Sequence, residues 1–479
     1  MNQDVIQILV VSENAIATKD DLNYMSLFND ILLKAMIESW FFSSKLPSNY
    51  RDKNRRGIEF IITPECSKSC GICYLQKHKD KLYPKSIVNE DIILSNLRSV
   101  LNYMVENSKK APLIDLFSGE IWGEELGFNV LNTMLEYAKR FKYTDGISIA
   151  TNMDFLFTEN GENWMDFFIR EFDNIGIKFN ISASIDGLFL DDCFRPQDKN
   201  YNIKIDYNSE YYNKIFSFQS KYNFGFHPMV YSKNCKYWCD NFDWYVGMIE
   251  RYYPNSIRKT PMMLEVRDNN WSSEDLEYYK VFLNHVVDYY LSQVYHNDLV
   301  EFSKFLTRIR GHEAFINNNV GIYVYDGRLN CTIPNELFIR LGDLAIVPCH
   351  RTMYPENVYG YIHFSDKEML VKAENFELMR KILREIPRKD YPKCKECIYN
   401  RLCMKGCLGS QLENSGDIFE PCDSVCKMLK TKINFLVDKY TELGVYEVLK
   451  QFPETKEYIN IVEEFKNKRA MSGDISDIK

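Results

Sequence analysis

Three closely spaced cysteines follow a short apolar segment in the first part of the chain. Cys66, Cys70 and Cys73 stand in Cys-x3-Cys-x2-Cys spacing directly after the segment 58–63, which Pro64 ends. Three thiolates on so short a loop can hold three irons of one [4Fe–4S] cube, whereas ferredoxin loops supply four. A structural zinc would also take a fourth protein ligand. The spacing therefore predicts a cube whose fourth iron stays open to an external ligand.

A second set of cysteines occupies the last third of the chain. Its members are Cys331, Cys349, Cys394, Cys397, Cys403, Cys407, Cys422 and Cys426. Their number matches the thiolates that two further [4Fe–4S] cubes consume. A zinc ribbon over residues 394–407 is the alternative interpretation.

From residue 58 onward, apolar strand-like segments alternate with amphipathic helical segments. The predicted strands are 58–63, 113–117, 146–151, 177–184, 224–231 and 262–266, and the predicted helices are 90–106, 161–171, 207–221, 235–253 and 273–296. Such alternation indicates parallel pairing with right-handed crossovers. We therefore predict an α/β fold, a partial (β/α)6 barrel of the TIM-like kind, whose chemistry lies on the loops after the strands.

Polar residues follow the predicted strands where a parallel barrel places its chemistry. They are Ser118, Gly119 and Glu120 after the second strand, Asn152 after the third, and Ser184 and Asp186 after the fourth. Glu265 and Arg267 end the sixth strand on one face, because side chains alternate along a strand. Both are candidate catalytic or binding residues at the barrel mouth. A structural ion pair between them is the alternative.

These features together resemble the radical S-adenosylmethionine (SAM) enzymes that carry a C-terminal SPASM domain. The resemblance covers about residues 58–430 and includes the aromatic Tyr74 after the first cysteine loop. This chain has Ser118 and Met153 where the family motifs have glycine. The resemblance implies SAM contacts from Tyr74, Ser118, Gly119, Glu120, Asn152, Ser184, Asp186 and Arg195.

The resemblance also assigns the later cysteines to two auxiliary [4Fe–4S] clusters in a small SPASM domain. One cluster would be held by Cys394, Cys397, Cys403 and a downstream cysteine, either Cys422 or Cys426. The other would be held by Cys331, Cys349, Cys407 and either the remaining cysteine or an open iron. The implied cofactors are three [4Fe–4S] clusters, one of which binds SAM, and SAM itself.

Enzymes of this kind mostly act on peptides and proteins, and they cleave SAM to methionine and 5′-deoxyadenosine. We therefore expect an oxidoreductase that matures a ribosomally synthesised precursor peptide (RiPP). The segments 262–271 and 349–351 resemble maturases of the sactipeptide and ranthipeptide kind, which link a cysteine sulfur to carbon as a thioether. The expected partners are the precursor peptide and an electron donor such as ferredoxin or flavodoxin.

Three alternatives to a thioether maturase remain open. An anaerobic sulfatase-type maturase would form formylglycine, although His350 stands where those enzymes have an aspartate. A related enzyme could form carbon–carbon or carbon–oxygen crosslinks in a peptide. A non-catalytic scaffold would use metal only to hold the fold, but the intact cysteine loop and strand-end motifs argue against it.

Composition argues against several other classes. The net charge is −8, and the sequence has no stripe of basic residues of the kind that binds nucleic acid. Residues 1–20 lack the features of a signal peptide, and no apolar window of about 18 residues predicts a membrane span. Fourteen cysteines without an export signal indicate metal or redox use in a reducing cytoplasm.

We predict four parts in the chain. Residues 1–57 form a mostly helical segment that serves as a lid or a substrate-binding appendage, and whether it binds a leader peptide stays open. The radical SAM barrel covers 58–300, and a connector with the SPASM domain covers 301–430. Residues 431–479 form a C-terminal helix and a charged tail.

Overall fold

A nine-stranded sheet forms the centre of the fold. The computed structural model describes residues 19–40, 57–83, 89–198, 204–254, 263–266, 268, 270–307, 320–322, 336–365, 367–385, 391–404 and 406–472. The strands are β1 Gly57–Ile61, β2 Ile114–Phe117, β3 Gly146–Thr151, β4 Lys178–Ala183, β5 Gly225–Phe226, β6 Met229–Val230, β7 Leu264–Glu265, β8 Glu336–Arg340, β9 Ala345–Val347, β10 Gly360–Ser365 and β11 Glu368–Ala373.

The strand order confirms the predicted α/β fold with a parallel sheet at its core. The sheet runs β11-β10-β9-β8-β1-β2-β3-β4-β5, and β6 and β7 form a separate pair. β1 to β5 pair in parallel in chain order, as do β6 and β7. β1 to β5, and then the separate pair of β6 and β7, therefore follow the order of a partial barrel. Helices lie in the connections between these strands except the one between β5 and β6.

The predicted fifth strand, 224–231, is divided into β5 and β6. Pro228 lies between them and has no amide hydrogen to donate to a neighbouring strand. The amide of His227 still donates to the Ala183 carbonyl of β4 at 2.7 Å. The next amide, that of Met229, donates instead to the Asp186 carboxylate at 2.8 Å. The break therefore turns the strand end toward a charged side chain.

Helices fill the connections and the C-terminal part of the chain. They are α1 Lys19–Trp40, α2 Tyr74–Leu82, α3 Glu90–Glu106, α4 Glu125–Arg140, α5 Gly161–Asn174, α6 Asp191–Phe194, α7 Ser209–Lys221, α8 Trp238–Tyr252, α9 Ser273–Tyr289, α10 Leu299–Thr307, α11 Phe376–Glu385, α12 Pro392–Lys395, α13 Leu408–Ser415, α14 Asp423–Glu442, α15 Val445–Leu449 and α16 Lys456–Ser472. α3 begins as predicted after Asn89, whose side chain accepts the Ile92 amide at 3.1 Å. None of the described helices is long and apolar enough to cross a bilayer.

Four strands that the sequence analysis did not predict extend the sheet on the other side of β1. β8 pairs in parallel with β1, and β9, β10 and β11 continue the sheet in antiparallel fashion. The region that follows the barrel in sequence is therefore joined to it by main-chain hydrogen bonds. α1 packs at this end, where Asp30 accepts the Ala373 amide at 2.7 Å.

Two buried cores support the fold. The first lies between the nine-stranded sheet and its helices, and the second lies among the C-terminal helices, α8, α9 and α10. Residues 456–472, expected as part of a charged tail, form α16 and bury Ile461, Val462 and Phe465 in the second core. The many charges of this segment lie on the solvent side of an amphipathic helix, which explains the difference.

Candidate active site

The three cysteines of the first loop lie between β1 and α2. The Cys73 amide donates to the Cys70 carbonyl at 3.1 Å, and the Ser69 amide donates to the Pro196 carbonyl at 2.8 Å. Burial raises the pKa of the Cys66 and Cys70 thiols, and the charge of the neighbouring cysteines raises it further. The three thiols are thus close enough to repel one another as thiolates, and a shared cationic group would relieve that repulsion.

A buried polar network below the loop fixes its position. Lys68 lies 3.1 Å from Asp154, and both side chains are almost fully buried. Asp154 also accepts the Ser67 hydroxyl at 2.5 Å, and Ser67 accepts the Asn152 amide at 2.9 Å. Burial acts against the Lys68 ammonium, but Asp154 and Tyr207 outweigh it and raise the pKa of Lys68. The predicted residue Asn152 therefore supports the cysteine loop through Ser67.

Gly119 lies directly against the cysteine loop. Its amide donates to the Thr63 carbonyl at 2.8 Å, and the next amide, of Glu120, donates to the Glu65 carbonyl at 2.7 Å. A Cβ atom at Gly119 would lie 1.8 Å from that Glu65 oxygen and 2.9 Å from the Cys66 Cβ. Only glycine lets the end of β2 approach the loop this closely.

Glu120 connects the ends of β2 and β3. Its carboxylate oxygens each accept the Thr151 hydroxyl at 2.9 Å, and one also accepts the Asn152 amide at 2.6 Å. Burial, and then the charge of Asp154, raise the pKa of Glu120 to about 8. The carboxyl group thus braces two strand ends from a fully buried position.

A buried ion-pair triad follows β4. Arg195 donates to Asp186 at 2.9 Å and lies 3.8 Å from Asp191. Asp191 accepts the amides of Asp186 and Gly187, at 2.8 and 3.0 Å, and Gly187 has a positive φ of 123°. Burial, and then the charge of Asp186, raise the pKa of Asp191 to about 6, while Arg195 opposes that rise. The triad therefore holds the Arg195 side chain rigidly.

These groups surround one cavity of about 570 Å³. Of the predicted SAM-contacting residues, those that line it are Tyr74, Ser118, Gly119, Glu120, Asn152, Ser184 and Arg195. Asp186 supports this wall through Arg195, to which it is paired. Cys66, Cys70 and Cys73 also line the cavity, and so do Cys349 and Cys407 from the C-terminal region. The structure thus brings together two cysteine groups that are far apart in sequence.

The cavity wall fits the predicted cofactor. The Ser118 hydroxyl and the Tyr74 hydroxyl are buried there without a hydrogen-bond partner among the described residues. Buried polar atoms are normally satisfied, so each hydroxyl is a donor that a bound water or the polar group of a ligand can satisfy. Leu116, Ile72 and Val266 supply apolar surface in the same wall. Polar donors, apolar surface and three thiols are what SAM beside an open-iron cluster requires.

His350 and Glu59 form a pair at the cavity that the sequence analysis missed. The His350 Nδ1 atom lies 2.8 Å from the Glu59 carboxylate, and the imidazole stacks on Phe117 with ring centroids 4.3 Å apart. Burial acts against the imidazolium, but Glu59 outweighs it and raises the pKa of His350. A charged residue inside the apolar run 58–62 was the available signal.

Four of the later cysteines lie together away from the cavity. Burial raises the pKa of Cys426 to about 12, and the neighbouring thiols of Cys403, Cys394 and Cys397 raise it further. Cys426 lies one turn into α14, whereas Cys422 precedes that helix as its N-cap. The thiol of Cys426 therefore lies near those of Cys394, Cys397 and Cys403.

Some predicted site residues cannot be placed. Cys331 and Arg267 lie outside the described residues, and Glu265 is described only in its backbone, as part of β7. Within the described ranges, no group of three His, Cys, Asp or Glu side chains lies close enough together to hold a single metal ion.

No protein-family model matches this sequence, and neither does any curated protein. Native anSMEcpe with bound AdoMet is similar in structure, at 15% identity and a TM-score of 0.49, over 81% of this chain and 98% of that one. Its complex with AdoMet and the Cp18Cys peptide gives the same values. Streptococcus suis SuiB bound to S-adenosylmethionine matches at 14% identity and a TM-score of 0.40, over 88% of this chain and 86% of that one. Because each TM-score is below 0.5, we base the function on the site of this chain alone.

Proposed function

We propose that this chain is a radical SAM enzyme that installs a crosslink, a cysteine thioether, in a ribosomally synthesised precursor peptide. The observation that supports this most is the shared cavity. Its wall carries Cys66, Cys70 and Cys73 on one side and Cys349 and Cys407 on another. A SAM cluster and an auxiliary cluster would then face the same space, into which a peptide can enter.

Different residues of this chain would hold the cluster and SAM. The loop thiols would hold three irons of the cluster, and Ser118 and Tyr74, which line the cavity, would lie beside bound SAM. Gly119 keeps the main chain close enough for its neighbours to reach the cofactor. When bound, this cofactor pair supplies a 5′-deoxyadenosyl radical that takes a hydrogen atom from carbon.

We assign the ligands of the two auxiliary clusters from the positions of the later cysteines. We assign Cys394, Cys397, Cys403 and Cys426 to one cluster, because the Cys426 thiol lies among the other three. Cys349 and Cys407 at the cavity, with Cys331, are assigned to the other cluster. An electron donor such as ferredoxin or flavodoxin would supply the reducing electron in the cytoplasm.

The first test is SAM cleavage by the reconstituted enzyme under anaerobic conditions with dithionite. We expect 5′-deoxyadenosine from the wild-type chain and none from Cys70→Ala. Cys193→Ala is the matched control, because Cys193 is an exposed thiol outside the cavity, and it should keep wild-type activity. Equal activity of Cys70→Ala and the wild type would overturn the assignment to this enzyme class.

The second test is mass spectrometry of synthetic cysteine-containing peptides after incubation with enzyme, SAM and dithionite. A loss of two hydrogens with a cysteine that no longer reacts with iodoacetamide supports a thioether. The same loss with all thiols reactive indicates a carbon–carbon or carbon–oxygen crosslink instead. Conversion of a cysteine to an aldehyde indicates formylglycine formation, and both of these results would overturn the thioether.

A further inference from the structure

Arg351 lies between the two cysteine groups that line the cavity. Its Nε and Nη2 atoms donate to the two carboxylate oxygens of Glu413, at 2.7 and 2.8 Å. The third nitrogen, Nη1, lies 4.0 Å from the Cys407 sulfur. The guanidinium also lies 5.3 Å from the centroid of the Tyr74 ring, which follows the first cysteine loop. One cation thus lies against a cysteine of the second group and against Tyr74, the residue that follows the first group.

The fold holds this arginine in one orientation. A two-point bond to a carboxylate fixes the plane of a guanidinium, and both side chains of the pair are largely buried. The stem of Arg351 lies flat on Gly409, where a Cβ atom would come within 2.4 to 2.8 Å of the arginine carbons. Gly409 belongs to the first turn of α13, directly after Cys407. Glu413, one turn further on, therefore directs the remaining N–H group toward the cysteine sulfur.

This arrangement has a chemical consequence for any cluster bound by Cys407. An N–H group or a positive charge beside a ligating sulfur stabilises the more negative, reduced form of the cluster and so raises its reduction potential. Arg351 is also two residues from Cys349, the second ligand assigned to that cluster. The cation acts without a change of protonation, because arginine stays charged in proteins.

We propose that Arg351 is a positioning residue that sets the reduction potential of the auxiliary cluster at the cavity. Glu413 and Gly409 act through it by fixing its direction. The proposal rests on the function proposed above, because it requires that Cys349 and Cys407 hold a cluster. Lysine cannot replace this residue fully, because its ammonium lacks the planar fork that bonds Glu413 while it faces Cys407.

The test is a redox titration of the reconstituted full-length enzyme, followed by electron paramagnetic resonance. Signals that added SAM does not perturb belong to the auxiliary clusters. We expect Arg351→Met to shift the midpoint of one such signal to a more negative potential, and Arg351→Lys to shift it less. Gly409→Ala keeps every charge but displaces the arginine stem, so it should shift the same signal in the same direction.

Arg380→Met is the matched control. Arg380 also pairs with a glutamate, because its Nε and Nη2 atoms lie 3.0 and 2.7 Å from one carboxylate oxygen of Glu377. The pair lies on the partly exposed side of α11 and outside the cavity, so all midpoints should stay at wild-type values. An unchanged midpoint in Arg351→Met, with iron content equal to wild type, overturns this proposal and leaves the proposed function standing. A wild-type enzyme without any signal that is insensitive to SAM overturns the cluster assignment and this proposal with it.

Discussion

Replacing Arg195 by methionine should destabilise the chain strongly, because two buried carboxylates would lose their counter-charge. The Asp186 and Asp191 side chains are 0% and 1% exposed, and Arg195 is 7% exposed. Removing one partner of a buried ion pair typically costs about 3 to 5 kcal/mol. That loss lowers the equilibrium constant for folding by about two to three and a half powers of ten. Urea unfolding followed by circular dichroism would measure it.

The loss should also depend on pH. The folded-state pKa of Asp191 is about 6, above the value of about 3.9 in an unfolded chain, so its ionisation lowers stability as pH rises between these values. In the wild-type chain Arg195 opposes the rise in the pKa of Asp191, so in Arg195→Met the folded-state pKa of Asp191 should rise further. The stability deficit of Arg195→Met should therefore be larger at pH 8 than at pH 6.

The control for this experiment is Arg251→Met, which removes an exposed arginine from α8 and should leave stability within about 0.5 kcal/mol of wild type. Arg195→Lys should recover part of the loss, because it restores the charge. The reasoning would be refuted by an Arg195→Met variant as stable as the control, or by a deficit that is the same at both pH values.

Three further results are expected. Gly119→Ala should cost about 1 to 3 kcal/mol and lower the iron bound after reconstitution, because its Cβ would meet the Glu65 carbonyl; an unchanged iron content would contradict this. Between about pH 4.5 and 8, Glu120 ionises in the unfolded chain but stays protonated in the folded chain, so wild-type stability should fall as pH rises through this range. Glu120→Gln removes this ionisation, so thermal unfolding should show the variant gaining stability relative to wild type over the same range. Cys426→Ala should lose more iron than Cys422→Ala in a colorimetric iron assay, and the reverse order would reject the cluster assignment.

The parallel half of the fold could be predicted from the sequence because its signals are local. The strand 146–151 and the helix 90–106 were predicted with the bounds that the structure has, and Asn89 caps that helix as expected. Apolar periodicity and a capping residue act within one element, so the sequence displays them directly. The cysteine spacing of the first loop is equally local.

The missed features depend on partners far away in the chain. β8 pairs with β1, and the local sequence of 336–340 carries no signal that identifies β1 as its partner. The pair of Glu59 and His350 joins residues 291 positions apart, so spacing could not reveal it. The split of the fifth strand at Pro228 did have a local signal, since proline cannot donate to a neighbouring strand.

The place of β1 in the sheet sets an order of events during synthesis. β1 lies between β2 and β8, but Glu336 leaves the ribosome long after Gly57. At about 5 to 20 residues per second, the interval is roughly 15 to 55 seconds. During that time one edge of β1 has no strand to pair with, and the cysteine loop that follows it is attached to an unfinished sheet. A nascent chain therefore exposes an unpaired strand edge together with the three thiols of the loop, so a chaperone that covers this edge should raise the yield of native protein.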